Sequence, residues 1–394
     1  MLLPWERVLL KHLRELAVTI GRRPTGSWNN QRAAAYLVDQ LTASNLEVAQ
    51  QPFPCLDWHR GEAVLVAPET KIPLRSADYS GPCDAKGPLV SIGTLTALQE
   101  SCLRGSIVFL HGSLTAEALS PKNFRFYNPA AHQEILALLE EKQPAGIITP
   151  SLQSDQYISV IEDGDFSIPC AVIARDAVPA LLHLAGSSVR LFIGSRRRAS
   201  HGSNVLAKTG RQGPRAILTA HFDTKPDTPG ALDNAVGTAA LLTLAEYWQE
   251  RPLTDSVELV FFNGEDYFSN PGETLYFDTV LQRPHDIRWA ANVDGIGLRA
   301  SSQGAAAFGW PAQWKTDLEQ AYHQNGIVAM EPWQQGDHML YVLNDIPTLA
   351  FTSVGIFDIV DSVVHTADDT LDLVEPTKVL QVVRCLDELV RKFV

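Results

Sequence analysis

From residue 216 to the C-terminus, short apolar runs alternate with longer helical patterns. Ala216–Thr219, Val257–Phe262, Trp289–Val293 and Pro347–Phe351 read as strands, and Gly237–Trp248, Ala312–Gln324 and Pro376–Phe393 as helices. Few topologies accommodate this order. A helix of ten or more residues between two strands makes a crossover, so the strands lie parallel and helices cover both faces of the sheet. The expected fold class is therefore α/β, with a mostly parallel sheet. In such a sheet, ligands bind beyond the carboxyl ends of the strands. The polar residues that directly follow each apolar run are thus the candidates for chemistry.

Those residues are His221-Phe222-Asp223 after the first run, Glu265-Asp266 after the second and Asp294-Gly295 after the third. Two loops add Asp233-Asn234, ahead of the helix near Gly237, and His365, ahead of the last helix. Taken singly, each has an ordinary explanation: a buried histidine, an N-cap or a strand-ending turn. Together on one sheet edge they are what two adjacent zinc ions need, because Zn²⁺ takes imidazole and carboxylate and one carboxylate can bridge. A two-metal site polarises a carbonyl and lowers the pKa of water toward ~7. One carboxylate must stay off the metals to move the proton. Glu265 and Asp266 supply that division, since neighbours at a strand end point to different sides.

The runs Leu218–Thr224, Pro229–Ala240, Phe261–Asp266, Asn292–Gly295 and His365–Thr370, in this order, resemble the M28 family of metallo-aminopeptidases. Gly21–Ser27, Ser203–Val205 and Gly336–His338 are weaker family features. The resemblance implies a three-layer zinc-exopeptidase fold with a mostly parallel mixed sheet, formed by residues 1–54 and 196–394, and a smaller β-rich protease-associated-like domain inserted at 55–195. It implies two zinc ions per chain, with Co²⁺ or Mn²⁺ as substitutes. His221, Asp266, Asp294 and His365 would be terminal ligands and Asp233 the bridge. Asp223 would receive the free N–H of His221, and Glu265 would be the general acid/base. The implied substrate is a peptide with a free N-terminus. Two departures stand out: Asp266 where many members carry a second glutamate, and Tyr267–Tyr276, which is closer to the related one-zinc glutaminyl cyclases. The alternatives are accordingly a glutaminyl-cyclase-like aminoacyltransferase and a silent relative acting as a binding protein.

The inserted region reads as short strands at Ala63–Ala67, Pro88–Ile92, Ser106–His111, Gly146–Thr149 and Ala171–Ala174, with helices at Ala131–Lys142 and Val178–Leu184. A net charge of −13 argues against a nucleic-acid partner. The one dense basic run, Ser195–Ala199, reads as a solvated linker. Five cysteines without CxxC spacing suggest neither a disulfide framework nor a thiolate zinc site. No secretory signal or membrane span is expected, which favours the cytoplasm. Val8, Leu9, Leu13 and Leu16 share a helical face that should dock on the core rather than on a membrane. Asp337 and His338 read equally as pocket residues or a helix cap, Asp368 and Asp369 as caps of the loop after His365, and Trp310, Trp314 and Trp333 as core before pocket. Nothing in the sequence bears on oligomeric state.

Overall fold

The computed structural model describes residues 4–125, 127–154, 156–209, 213–253, 256–281 and 286–393. It divides into two compact units, Met1–Cys55 with Ser200–Val394, and Leu56–Ala199.

The first unit opens with helix α1 (Pro4–Arg14), whose chain continues in a wider helical turn to Ile20. Leu9, Leu13 and Leu16 are fully buried, so this apolar stripe lies on the core. Helix α2 (Trp28–Ala43) starts at Ser27, whose hydroxyl accepts the Asn30 N–H at 3.1 Å and satisfies one of the free amides of the first turn. Strand β1 (Glu47–His59) follows.

The second unit contains β2 (Glu62–Val66), β3 (Lys71–Ser76), β4 (Cys83–Ile92), α3 (Leu95–Glu100), β5 (Ile107–Leu110), α4 (Ala130–Lys142), β6 (Gly146–Pro150), β7 (Cys170–Ile173), α5 (Val178–His183) and β8 (Ser188–Ile193). Its strands close into a barrel in the order β2-β3-β7-β6-β5-β4-β8. Strands β3 and β8, which sequence reading passed over, bury every second residue, as half-buried strands do.

The chain returns through β9 (Arg196–Thr209). The basic run expected as a linker forms the start of this strand: its charge reported solvent exposure, which an outward-facing strand position also provides. Then come β10 (Arg215–His221), α6 (Val236–Glu250), β11 (Ser256–Phe262), α7 (Pro271–Thr279), β12 (Ile287–Val293), β13 (Gln303–Phe308), α8 (Lys315–Asn325), β14 (Ile327–Ala329), α9 (Met339–Val342), β15 (Thr348–Ser353) and α10 (Pro376–Phe393). The eight strands run in the order β1-β9-β11-β10-β12-β15-β13-β14. Strand β10 is parallel to both neighbours and β12 is parallel to β15, whereas β9 and β13 pair antiparallel with β11 and β15. The sheet is therefore mixed with a parallel centre. Helix α6 is buried along its length from Val236 to Ala245, while α10 buries only a stripe, including Val379, Val383, Leu386 and Val390. Among the described residues, no helix is long and apolar enough to cross a membrane.

Candidate metal centre

Register places the candidates. His221 pairs with Phe262 across β10 and β11, and Thr219 pairs with Asn292 across β10 and β12. Continued by two residues, the second register sets Asp294 level with His221. Beyond β11, Gly264 turns the chain at φ +112°, a conformation open to glycine, and Glu265 and Asp266 come next. Asp233 sits in an irregular turn, Ala231–Ala235, between Gly230 at φ +64° and the start of α6. The side chain of Asn234 fixes that turn: its Nδ2 donates to Val293 O at 2.8 Å and its Oδ1 accepts the Gly237 N–H at 2.9 Å. His365 closes a helical turn at Val360–Val364.

The five residues expected to hold metal converge in two overlapping trios, His221 with Asp233 and Asp294, and Asp233 with Asp266 and His365. Asp233 belongs to both. Its Oδ1 lies 2.9 Å from His221 Nε2 and its Oδ2 lies 3.0 Å from His365 Nε2. Asp294 Oδ2 is 3.6 Å from His221 Nε2, and Asp266 Oδ1 is 3.9 Å from His365 Nε2. Two ligands about 2.0–2.2 Å from one tetrahedral zinc stand roughly 3.3 Å apart, inside this spread. The buried ring of His221 supplies an independent test. Neither of its nitrogens makes a hydrogen bond of ordinary geometry, although three carboxylates approach within 3.6 Å. An imidazole aimed between carboxylates rather than at one of them fits a cation. Asp294 and His365, about one-third exposed at 31% and 32%, leave one side of the nest open.

Glu265 belongs to neither trio. Asp223, fully buried, ties the arrangement together: it accepts the Thr25 hydroxyl at 2.9 Å and the N–H groups of Glu265 and Asp266 at 3.3 and 3.2 Å, and lies 3.5 Å from His221 Nδ1. Asp368 is exposed, but Asp369 is buried, and its carboxylate does not cap the loop after His365. Instead it accepts the N–H of Leu232 at 2.8 Å and of Asp233 at 3.0 Å. His338 is buried, makes no cap hydrogen bond and meets Trp333 O at 3.0 Å through Nε2. Trp310 and Trp314 pack with Phe393 as core, whereas Trp333 packs with Phe308 and Phe357. Sequence reading also gave no role to Arg23 and Thr25. The signal for both was the Gly21–Ser27 stretch.

The model of Peptidase family M28 matches residues 204–390, which include every one of these donors. Over these residues the chain is similar to peptidase family M28. Aminopeptidase YwaD of Bacillus subtilis is 23% identical over 284 residues, 69% of this chain and 57% of that protein, so the match spans little more than half of the relative's length. The structure of BSAP, a zinc aminopeptidase from Bacillus subtilis, superposes over all of this chain and 96% of its own, with a TM-score of 0.78 at 17% identity. A glutaminyl cyclase from Fimbriiglobus ruber covers 99% and 96% at a TM-score of 0.53 and 12% identity. At such identities the two structures speak for the fold.

The nest is a crowd of buried groups that shift one another's titration. Burial opposes charge on both histidines, yet Asp294 and the nearby Asp223 and Asp233 carboxylates raise the pKa of His221, and Asp233 lifts His365 to about 9. Burial likewise opposes charge on Asp233, but the close approach of His221 and His365 holds it well below the usual carboxylate range. Burial and the Asp233 charge push Asp266 to about 7, and burial together with Asp266, Asp294 and Asp233 raises Glu265. Divalent cations would reverse these last shifts by favouring the ionised carboxylates.

Proposed function

We propose that this chain is a two-zinc aminopeptidase that removes N-terminal residues from peptides. The observation that carries this reading is the Asp233 carboxylate, which turns one oxygen to His221 and the other to His365. On this reading His221, Asp294 and Asp233 hold one ion, and His365, Asp266 and Asp233 the other. When bound, the zinc pair polarises the scissile carbonyl and lowers the pKa of water at the site, and Co²⁺ or Mn²⁺ can stand in. Glu265 takes the proton of the attacking water and passes it to the leaving amine. Asp223 keeps His221 in the tautomer whose Nε2 faces the nest. The closed barrel, residues 55–195 in the sequence reading, serves as a protease-associated-like insertion. Among the described residues no disulfide joins the cysteines, and a cytoplasmic setting is part of this reading.

Replacing Glu265 with Gln is expected to leave zinc content intact and lower kcat on aminoacyl anilides by about 10²–10⁴-fold. Elemental analysis and a rate assay check it, and unchanged turnover removes Glu265 from the role. The second reading, N-terminal glutamine cyclisation with one zinc, is favoured by the Tyr267–Tyr276 stretch and the shared fold. One zinc per chain, with cyclisation and no hydrolysis, would establish it. A zinc-free chain silent on the same panel would point to a binding protein instead.

A further inference from the structure

Arg23 lies between α1 and α2 and is completely buried. Its guanidinium donates to main-chain carbonyls: Nε to Phe222 O at 2.5 Å, Nη1 to Pro229 O at 2.7 Å, and Nη2 to Gly230 O at 2.8 Å. Nη1 also reaches Leu16 O and Gly21 O at 3.3 and 3.2 Å, and the Arg23 N–H donates to Thr224 Oγ1 at 3.1 Å. Phe222 directly follows His221, and Gly230 stands three residues ahead of Asp233. One rigid fork therefore spans the two chain segments that present the histidine of one trio and the carboxylate common to both. The fit around it is close. A Cβ on Gly230 would lie 2.3 Å from Thr224 Cγ2, 2.4 Å from Asp233 O and 3.2 Å from Arg23 Nη2.

Burying a cation away from an ion-pair partner is costly, and a chain carries such a group where its geometry is needed. Burial lowers the Arg23 pKa to about 10, against the pull of Asp369, Asp223, Asp233 and Asp266, so it remains charged at neutral pH. That charge faces a carboxylate-dense nest from behind. A lysine would keep the charge but has a single ammonium in place of the planar fork.

We propose that Arg23 is a positioning residue that fixes the spacing between His221 and Asp233, and thereby sets the affinity of the site for divalent cations. This rests on reading the nest as a zinc site. The test compares full-length wild type with Arg23→Lys and Arg23→Gln, measuring zinc dissociation constants against a chelating dye and the melting midpoints of the zinc-free and zinc-loaded proteins. Both variants are expected to bind zinc at least tenfold more weakly, with a narrower gap between the two midpoints. Variant activity should recover toward wild type at saturating zinc. Wild-type zinc affinity, with both midpoints lowered equally, would overturn the proposal and leave Arg23 a purely structural residue. Should neither variant fold, Thr224→Val carries the test: it loosens the Arg23 main chain and keeps the guanidinium, and unchanged zinc affinity there overturns the proposal equally. A wild-type chain that binds no zinc refutes the metal-site reading itself, whereas wild-type binding with unaltered variants refutes only the role of Arg23.

Discussion

Asp223 concentrates several structural duties in one buried carboxylate. It receives the Thr25 hydroxyl and two main-chain N–H groups and stands beside His221 Nδ1. An asparagine has one accepting oxygen, and its NH₂ would face the donors that the carboxylate now accepts. Asp223→Asn is therefore expected to weaken zinc binding or activity about 10–100-fold, as losses of groups that orient a metal ligand generally do. Chelator competition measures the affinity directly. An unaltered zinc constant would mean that His221 is oriented by its packing alone. The local motif His221-Phe222-Asp223 exposed this residue to sequence reading, whereas Asp369 was misplaced because its partners, the amides of Leu232 and Asp233, are 137 and 136 positions away.

Helix α6 shows how an element can be shaped by its neighbours rather than by propensity. Gly237 sits in its first turn, where alanine would favour the helix by about 1 kcal/mol. A Cβ there would lie 2.2 Å from Val293 O and 2.5 Å from Asn234 Oδ1. Overpacking against a main-chain carbonyl costs ~1–3 kcal/mol or more, so Gly237→Ala should lower the melting temperature and disturb Asn234; a melt at or above wild type would contradict this. Helix α1 meets α6 through His12, which is fully buried, 2.7 Å from the Tyr36 hydroxyl and 3.0 Å from Glu246. Burial lowers the His12 pKa below 6.5, and Lys11 adds to this, although Glu246 opposes both. A histidine depressed in the folded state contributes stability that is complete above about pH 6.5 and lost as pH falls through its lower folded value. Glu246, held at about 2 chiefly by the nearby His12, gives up its share only at lower pH. Urea melts at pH 7.5 and 5.5 should therefore show a larger acid loss for wild type than for His12→Gln. Equal losses would assign the acid sensitivity to other groups.

At the scale of the whole molecule, the donors all belong to the unit Met1–Cys55 with Ser200–Val394. A ligand that binds only the folded state stabilises by about 4 kcal/mol at a thousand times its dissociation constant. Removing zinc should consequently lower the urea midpoint of that unit. Tryptophan fluorescence reports on it, since Trp58 is the only one of eight tryptophans within Leu56–Ala199. A midpoint indifferent to chelator and to added zinc would count against a metal centre here.

By itself the sequence singled out the candidate groups at the strand ends and the main strands and helices that carry them. The candidate imidazoles and carboxylates, the strand and helix alternation from Ala216 onward, and even the bounds of α10 follow from residue type and local periodicity, which act over a few residues, whereas the division into five ligands and one free Glu265 was what the family resemblance implied. Strands β9, β13 and β14 were not legible, because basic, small or very short segments become strands only when a neighbour offers its edge. Only the tertiary structure decided that Asp233 divides its oxygens between two histidines, or that Arg23 reaches a carbonyl 199 residues away. Such geometry is set by contacts between distant segments, and a linear reading can name the groups but cannot measure the space between them.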